Sequence, residues 1–292
     1  MYDLKNNLLL SGVDDEKNKE LWIERSSYAP FSVDFKSHII DLKISTEGVG
    51  IKYSKELYED KEEFYIVYLD WLKNDMGIDL LKDNIIISHF AHSCNGGLKI
   101  DEFARTGVNG LYAIGEVASI IEGANRLGGN SLGGSLVFAN RAIINAVEYI
   151  KNTKSFKLKK RDVEQDFNAW IREITREDKN NLLDKKSVIK ILKNITSDNL
   201  GIVRSAEKVK RLFEELKNMR ESYSIEKNLK EGSLEVYLME ESIKMLALSI
   251  LNREESRGAH YREDFPETSN EVVKLNVKRK NNEFIIEKVK VK

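Results

Sequence analysis

Between Glu59 and Met76 the apolar residues Phe64, Val67, Tyr68, Trp71 and Leu72 recur at the spacing of one helix face, and Gly77 stands where such a helix would stop. A second amphipathic helix is predicted from about Ser131 to Ile150, with Leu132, Leu136, Ala139, Ile143, Val147 and Ile150 on one side. Short apolar runs predict strands instead at Ile85–Ile87 and at Leu111–Ile114, the latter stopping at Gly115-Glu116. Residues 21 to 53 mix apolar and β-branched runs (Phe31-Ser-Val33, His38 to Ile44, Val49-Gly-Ile51) and predict strands with a short helix. After Lys151 the pattern turns to charged segments of helical period, at roughly 161 to 177, 185 to 196, 203 to 222 and 232 to 255. The last carries Leu234, Tyr237, Leu238, Ile243, Leu246 and Ile250, and the set predicts a bundle of amphipathic helices. Val272 to Val277 and Glu283 to Val289, separated by Lys-Arg-Lys-Asn-Asn, predict a terminal hairpin.

Composition narrows the function classes. The 292 residues are 41% hydrophobic, enough for a packed core, and their 33% charged residues divide into 47 basic and 48 acidic. Such a balance supplies no field for nucleic acid or an anionic membrane, and the charge runs read as solvated helix faces. Cys94 is the single cysteine, so neither an internal disulfide nor a cysteine-rich metal site is expected, and a reducing, cytoplasmic compartment is the simpler reading. The first residues lack the order of a signal peptide, and Met245 to Leu251, interrupted by Ser249, is far too short to span a bilayer, so no direct membrane insertion is expected. Only Pro30 and Pro266 punctuate the chain, which leaves glycines and charge clusters to mark boundaries.

Glycine crowds one region: His92-Ser-Cys-Asn-Gly96-Gly97, then Gly110-Leu-Tyr-Ala-Ile-Gly115-Glu116, then Gly123-Ala-Asn-Arg126-Leu-Gly128-Gly129-Asn130-Ser131-Leu-Gly133-Gly134. Glycine pairs let backbone approach a flat ligand or take positive φ, and a strand ending in Gly-Glu sets a carboxylate at a sheet edge, where cofactor hydroxyls bind. Asn130-Ser131 is expected to cap the following helix, whose first amides and positive dipole end favour an anionic group.

These residues carry a resemblance. Gly-Leu-Tyr-Ala-Ile-Gly-Glu, Gly-Ala-Asn-Arg-Leu-Gly-Gly-Asn-Ser-Leu and the upstream His-x-x-x-Gly-Gly resemble the signature of the flavoprotein family of fumarate reductase, succinate dehydrogenase and L-aspartate oxidase. Asn199-Leu-Gly-Ile-Val-Arg-Ser205 and Glu255-Ser-Arg-Gly-Ala-His-Tyr-Arg-Glu-Asp-Phe-Pro266 resemble two landmarks of the family's helical domain, so the motifs run from residue 92 to 266 in the family's order. The fold so implied is α/β plus α: part of a capping domain (1–88), the C-terminal return of an FAD-binding domain (89–152), a helical-bundle domain (153–266) and a short terminal β-hairpin (267–292).

The cofactor implied is FAD, with Glu116 on its ribityl part and the amides around Ser131 and Leu132 at the flavin's pyrimidine edge. Gly96, Gly97, Gly115 and Asn130 complete the candidate cofactor-binding set. The resemblance further implies that His92 and Arg126, with Gly129 beside them, hold the carboxylates of a C4 dicarboxylate, and that an electron-transfer partner subunit is possible. A planar guanidinium suits that work because it meets a carboxylate bidentately and keeps its charge. The family's proton-donating arginine has its candidate in Arg25, which reads equally as a plain surface arginine. His92 also reads as a brace for the Gly96-Gly97 turn, Arg126 as a partner for a structural carboxylate, and Glu116 as a helix N-terminal carboxylate. His260 and Arg262 read as ties for the end of the last long helix, and Cys94 as a small packing residue.

The sequence departs from the family at several points. Gly-x-Gly-x-x-Gly occurs nowhere in the 292 residues, the substrate-side His-Thr pair is absent, Ser93 stands where the family usually has Tyr, and Gly133-Gly134 replaces bulkier residues. The expectation is a truncation, a split gene product or a piece of a longer reading frame. Hydride transfer between FAD and a dicarboxylate is then expected once the dinucleotide-binding half is supplied. L-aspartate oxidation and a catalytically silent assembly module are the rival readings. We expect the 292 residues alone to bind FAD weakly and to purify colourless, because the pyrophosphate turn is absent. A stoichiometric yellow flavoprotein, seen as flavin absorbance, would contradict this.

Overall fold

Asp14 starts the first helix: its carboxylate accepts the Lys17 amide at 2.8 Å, and α1 runs Asp15–Ser26. This is a computed structural model, and it describes residues 14–28, 30–51, 63–118, 122–154, 164–165, 167–169, 185–222, 233–281 and 283–291. The chain divides into two units, residues 1–92 and 93–292.

In the first unit, α1 is followed by α2 (His38–Glu47), which ends at Gly48 with φ 65°. Leu21 and Trp22 of α1 pack with Ile40 and Ile44 of α2, and with Val49 and Ile87 of a small antiparallel pair, β1 (Val49–Ile51) and β2 (Ile85–Ile87). Of the strands and short helix expected over residues 21–53, Val49–Ile51 is a strand, His38 to Ile44 is helical and Phe31 to Val33 is irregular. Ile40 and Ile44, four apart, form the inward stripe of a helix whose Asp41 is tied to Arg25. The helix expected at 59–76 is seen as α3 (Glu63–Asn74), and its Leu69 and Leu72 pack on Leu80, Ile78 and Ile85.

The second unit begins with the glycine-rich stretch. The strand expected at Leu111–Ile114 is not formed: a single bridge links Arg105 and Tyr112. Positive φ at Ala104, Gly107 and Gly110 folds the chain back too tightly for a longer ladder. A single 3-10 turn, Gly115–Ala118, follows, and then α4 (Asn130–Asn152), close to its expected limits. On α4 only Ala142 is buried, while Leu136, Ile143 and Ile150 are 66%, 64% and 71% exposed, so its apolar stripe is open surface.

The bundle core lies between α5 (Lys185–Leu200), α6 (Ala206–Ser222) and α7 (Ser233–Asn252), around Val188, Leu192, Val209, Leu212, Val236 and Ala247. The helix expected at 161–177 lies mostly outside the described residues, of which 164–165 and 167–169 are helical. The expected start at 203 moves to Ala206 because β3 (Val203–Arg204) pairs in parallel with β4 (Tyr261–Arg262). The hairpin is present as β5 (Val273–Lys280) and β6 (Glu283–Lys290).

Arg262, fully buried, joins these parts. Its Nη1 donates to the carbonyls of Ile250 at 2.6 Å, Leu251 at 3.3 Å and Arg253 at 3.1 Å, where α7 ends, and Nε and Nη2 meet the Asp264 carboxylate at 2.7 and 2.8 Å. Asp264 also accepts the Ala206 amide at 2.9 Å, at the positive end of α6. The Arg262 hydrogen bonds hold the Asp264 carboxyl down at about 2, below its ordinary value near 4. A depressed carboxyl stabilises the fold above its unfolded value, and the contribution is lost as pH falls from about 4 towards 2. We expect Asp264→Asn to cost about 2 to 3 kcal/mol, because Arg262 keeps its carbonyl acceptors but loses its counter-charge. Urea unfolding should show that loss at pH 7 and the disappearance of the acid step between pH 4 and 2. Equal midpoints for both proteins across that range would refute it.

Candidate functional site

The turn after His92 is held by Glu116. The Cys94 amide donates to Glu116 Oε1 at 2.8 Å and the Leu98 amide donates to the Val117 carbonyl at 2.7 Å, so Gly96-Gly97 lies over the 3-10 turn that Gly115 opens with φ 75°. Glu116 sits in the first turn of that helix with its side chain exposed, beside the thiol-bearing Cys94, which is also exposed. The sheet edge expected for Glu116 is absent, since the preceding residues form no strand.

The Gly123–Gly134 loop and the start of α4 form the other half of the glycine-rich region. Arg126, half-buried, donates from Nη1 to Ser131 Oγ at 3.1 Å, and Ser131 Oγ reaches Glu122 Oε1 at 3.4 Å. Among the described residues Arg126 pairs with no carboxylate. The capping expected of Asn130-Ser131 is corrected: the cap position is Gly129, at φ 79°, with no side-chain hydrogen bond, and Asn130 and Ser131 already belong to the helix. Left-handed backbone at Gly129 sets the entry angle that a capping side chain would otherwise have fixed, and Ser131 Oγ is turned to Arg126 instead. The amides of the first turn, Ser131 and Leu132 among them, are therefore without a side-chain cap. A Cβ added at Gly128, Gly129 or Gly133 would meet nothing within 4 Å, so the backbone there is bare. A shallow, solvent-open depression lies beside these turns, lined by Ile114, Gly115, Glu122, Ser131, Ser135 and Phe138 among others.

In the first unit, His92 is exposed and makes no hydrogen bond among the described residues. Arg25 is held firmly: Nε and Nη2 donate to the Asp41 carboxylate at 2.7 and 3.0 Å, and Nη1 to the Tyr28 carbonyl at 2.9 Å. His89 Nε2 lies 3.3 Å from Asp41 Oδ1. Burial raises the buried Asp41 carboxyl, but the hydrogen bonds from His89 and Arg25 outweigh it and the group lies below its ordinary value. This network gave no sequence signal, because its members lie 16 and 48 residues apart.

At the edge of the helical bundle, Arg262 ties down the end of α7 as expected, whereas His260 is held by Arg204, whose Nη1 donates to His260 Nδ1 at 3.0 Å. Burial, with Arg204 and Arg253 adding to it, pushes His260 down to about 3, so the ring is neutral at working pH.

Residues 61–132 match the family described as FAD binding domain, which makes the glycine-rich stretch part of a flavoprotein with FAD as its cofactor. Residues 189–291 match the family described as fumarate reductase flavoprotein C-term. The chain belongs to the flavoprotein family of fumarate reductase, succinate dehydrogenase and L-aspartate oxidase. It is 36% identical over 206 residues to an FAD-dependent oxidoreductase of Methanocaldococcus jannaschii, covering 67% of this chain and 36% of that protein. It is 34% identical over 223 residues to one subunit of the fumarate reductase (CoM/CoB) of Methanothermobacter marburgensis, covering 73% and 39%. Against the L-aspartate oxidase of Pyrococcus abyssi it is 33% identical over 235 residues, covering 80% and 42%. The chain thus spans less than half the length of these relatives. A solved quinol-fumarate reductase shares the fold with a TM-score of 0.67 at 22% identity, covering 84% of this chain and 45% of that one. The residues present fit FAD on physical grounds: bare glycine backbone and uncapped helix amides suit a flat group whose pyrimidine edge gathers negative charge.

Proposed function

We propose that this chain is the substrate-side portion of an FAD-dependent oxidoreductase that moves hydride between flavin and a C4 dicarboxylate, in the manner of a fumarate reductase. The observation that carries the reading is Arg126. It is a half-buried guanidinium in a glycine loop, oriented by Ser131 Oγ and paired with no carboxylate among the described residues. A half-buried guanidinium that pairs with no carboxylate among the described residues, set beside bare backbone, suits an anion, and its planar fork matches a carboxylate. Bound FAD would supply the hydride acceptor and donor. The uncapped amides at Ser131 and Leu132 would hold its pyrimidine edge, and Glu116 and the backbone at Gly96, Gly97, Gly115 and Asn130 would lie along it.

Arg126 would take one substrate carboxylate, with the small Gly129 leaving room beside it. His92 would take the other as a hydrogen-bond donor, polarising the substrate toward hydride transfer. For Arg25 we favour an anchoring role over proton donation. Asp41 meets its guanidinium bidentately and the Tyr28 carbonyl takes a third hydrogen bond, so the group is committed to holding α1 against α2. An electron-transfer partner subunit is part of the same proposal. Oxidation of L-aspartate is the second reading, favoured by the 80% of the chain that aligns with the Pyrococcus abyssi oxidase, and it asks the site to admit an α-amino group as well.

In the flavin-loaded protein, Arg126→Lys should keep its flavin and lose about 2 to 4 kcal/mol of transition-state stabilisation, read from kcat/KM with fumarate. A point charge cannot reproduce a bidentate clamp. Unchanged kcat/KM would take Arg126 out of the site.

A further inference from the structure

We propose that Gly258, in the helical domain, is a positioning residue for Arg126, acting through the backbone of Ala124. The proposal rests on the reading of Arg126 as the carboxylate clamp. Gly258 adopts φ 55°, and a Cβ built on it would lie 2.6 Å from the Ala124 carbonyl oxygen, 2.7 Å from its carbon and 3.0 Å from the Ala124 Cβ. Backbone cannot yield as the far end of a flexible side chain does. The next residue completes the contact: the Ala259 amide donates to the Ala124 carbonyl at 2.9 Å. Ala124 is two residues from Arg126 in a loop rich in glycine, so its carbonyl is a fixed point for a segment with little stiffness of its own.

The turn that makes the contact is itself rigid. Arg257 and His260 exchange backbone hydrogen bonds at 2.8 and 3.0 Å. Arg204 Nη1 grips His260 Nδ1 at 3.0 Å, and Ser256 Oγ accepts the Arg262 amide at 2.9 Å. Because a guanidinium only donates, Nδ1 of the neutral His260 is the acceptor and the ring cannot rearrange without giving up Arg204. The buried Arg262 then fixes the turn to the end of α7. The helical bundle thereby sets where Ala124 lies, and Ala124 sets from where the Arg126 side chain starts. Misplacing a carboxylate clamp by about 1 Å is enough to cost on the order of a hundredfold in rate.

The test has two arms. In the protein itself, hydrogen exchange should show Gly258→Ala speeding exchange in the peptide covering 122–131 by on the order of tenfold while the α5 and α6 cores keep their protection. In the flavin-loaded protein, the same variant should weaken malonate binding, read from the flavin absorbance, by on the order of tenfold at unchanged flavin content. Gly258→Asn tolerates positive φ but carries the same Cβ, so it should behave like the alanine variant and serves if that one fails to fold. Unchanged exchange at 122–131, or an asparagine variant equal to wild type, would overturn the positioning role. Malonate binding that is also indifferent to Arg126→Lys would instead sink the clamp reading, and so separates the two failures.

Discussion

A single buried guanidinium governs the second unit of this chain. Arg262 has no exposed surface, and taking its charge out of water is tolerable only because Asp264 meets it bidentately and three carbonyls at the end of α7 share the protons of Nη1. Those bonds fasten α7 to β4, β4 pairs with β3, and Asp264 reaches the first amide of α6. The Gly258-Ala259 turn, four residues upstream, inherits that rigidity and passes it to Ala124 by direct backbone contact. The long helices are thus more than a covering layer, because their shared hub ends within two residues of the proposed anion-binding arginine.

Two kinds of interaction divide the work. Apolar packing builds the bundle, where Val188, Leu192, Val209 and Leu212 are fully shielded. The glycine-rich region does the opposite: its backbone is bare at Gly128, Gly129 and Gly133, its helix start has no side-chain cap, and the Arg126 guanidinium hydrogen-bonds only to a serine among the described residues. Polar groups left open in this way suit the negatively charged edge of a flat group such as FAD. On α4 the exposure extends to Leu136, Ile143 and Ile150, whose burial the helical period had led one to expect.

Much of the fold was legible because helical period is a local signal. The limits of α3, α4, α6 and α7 and the hairpin lie within a few residues of the pattern in the apolar positions. The misses were non-local. Which run of residues 21–53 would form the short helix was not legible, because the Arg25–Asp41 pair that supports the helix at 38–47 joins residues 16 apart. Leu111 to Ile114 failed as a strand because backbone turns on either side, including a positive φ at the non-glycine Ala104, cut the ladder to one bridge. The glycine density marked a stretch that overlaps the FAD binding domain match, yet the cap was assigned to Asn130-Ser131 when Gly129 takes that position. The Gly258–Ala124 contact, between residues 134 apart, left no local trace beyond an unexplained glycine in a polar run.

We propose that Arg126 and its surroundings present a dicarboxylate to flavin for reduction. The most direct test is turnover by the flavin-loaded protein, together with any polypeptide that accompanies it: oxidation of a reduced dye by fumarate, set against peroxide release from L-aspartate in air. Fumarate-dependent dye oxidation should dominate, whereas aspartate-dependent peroxide without any fumarate turnover would contradict the account.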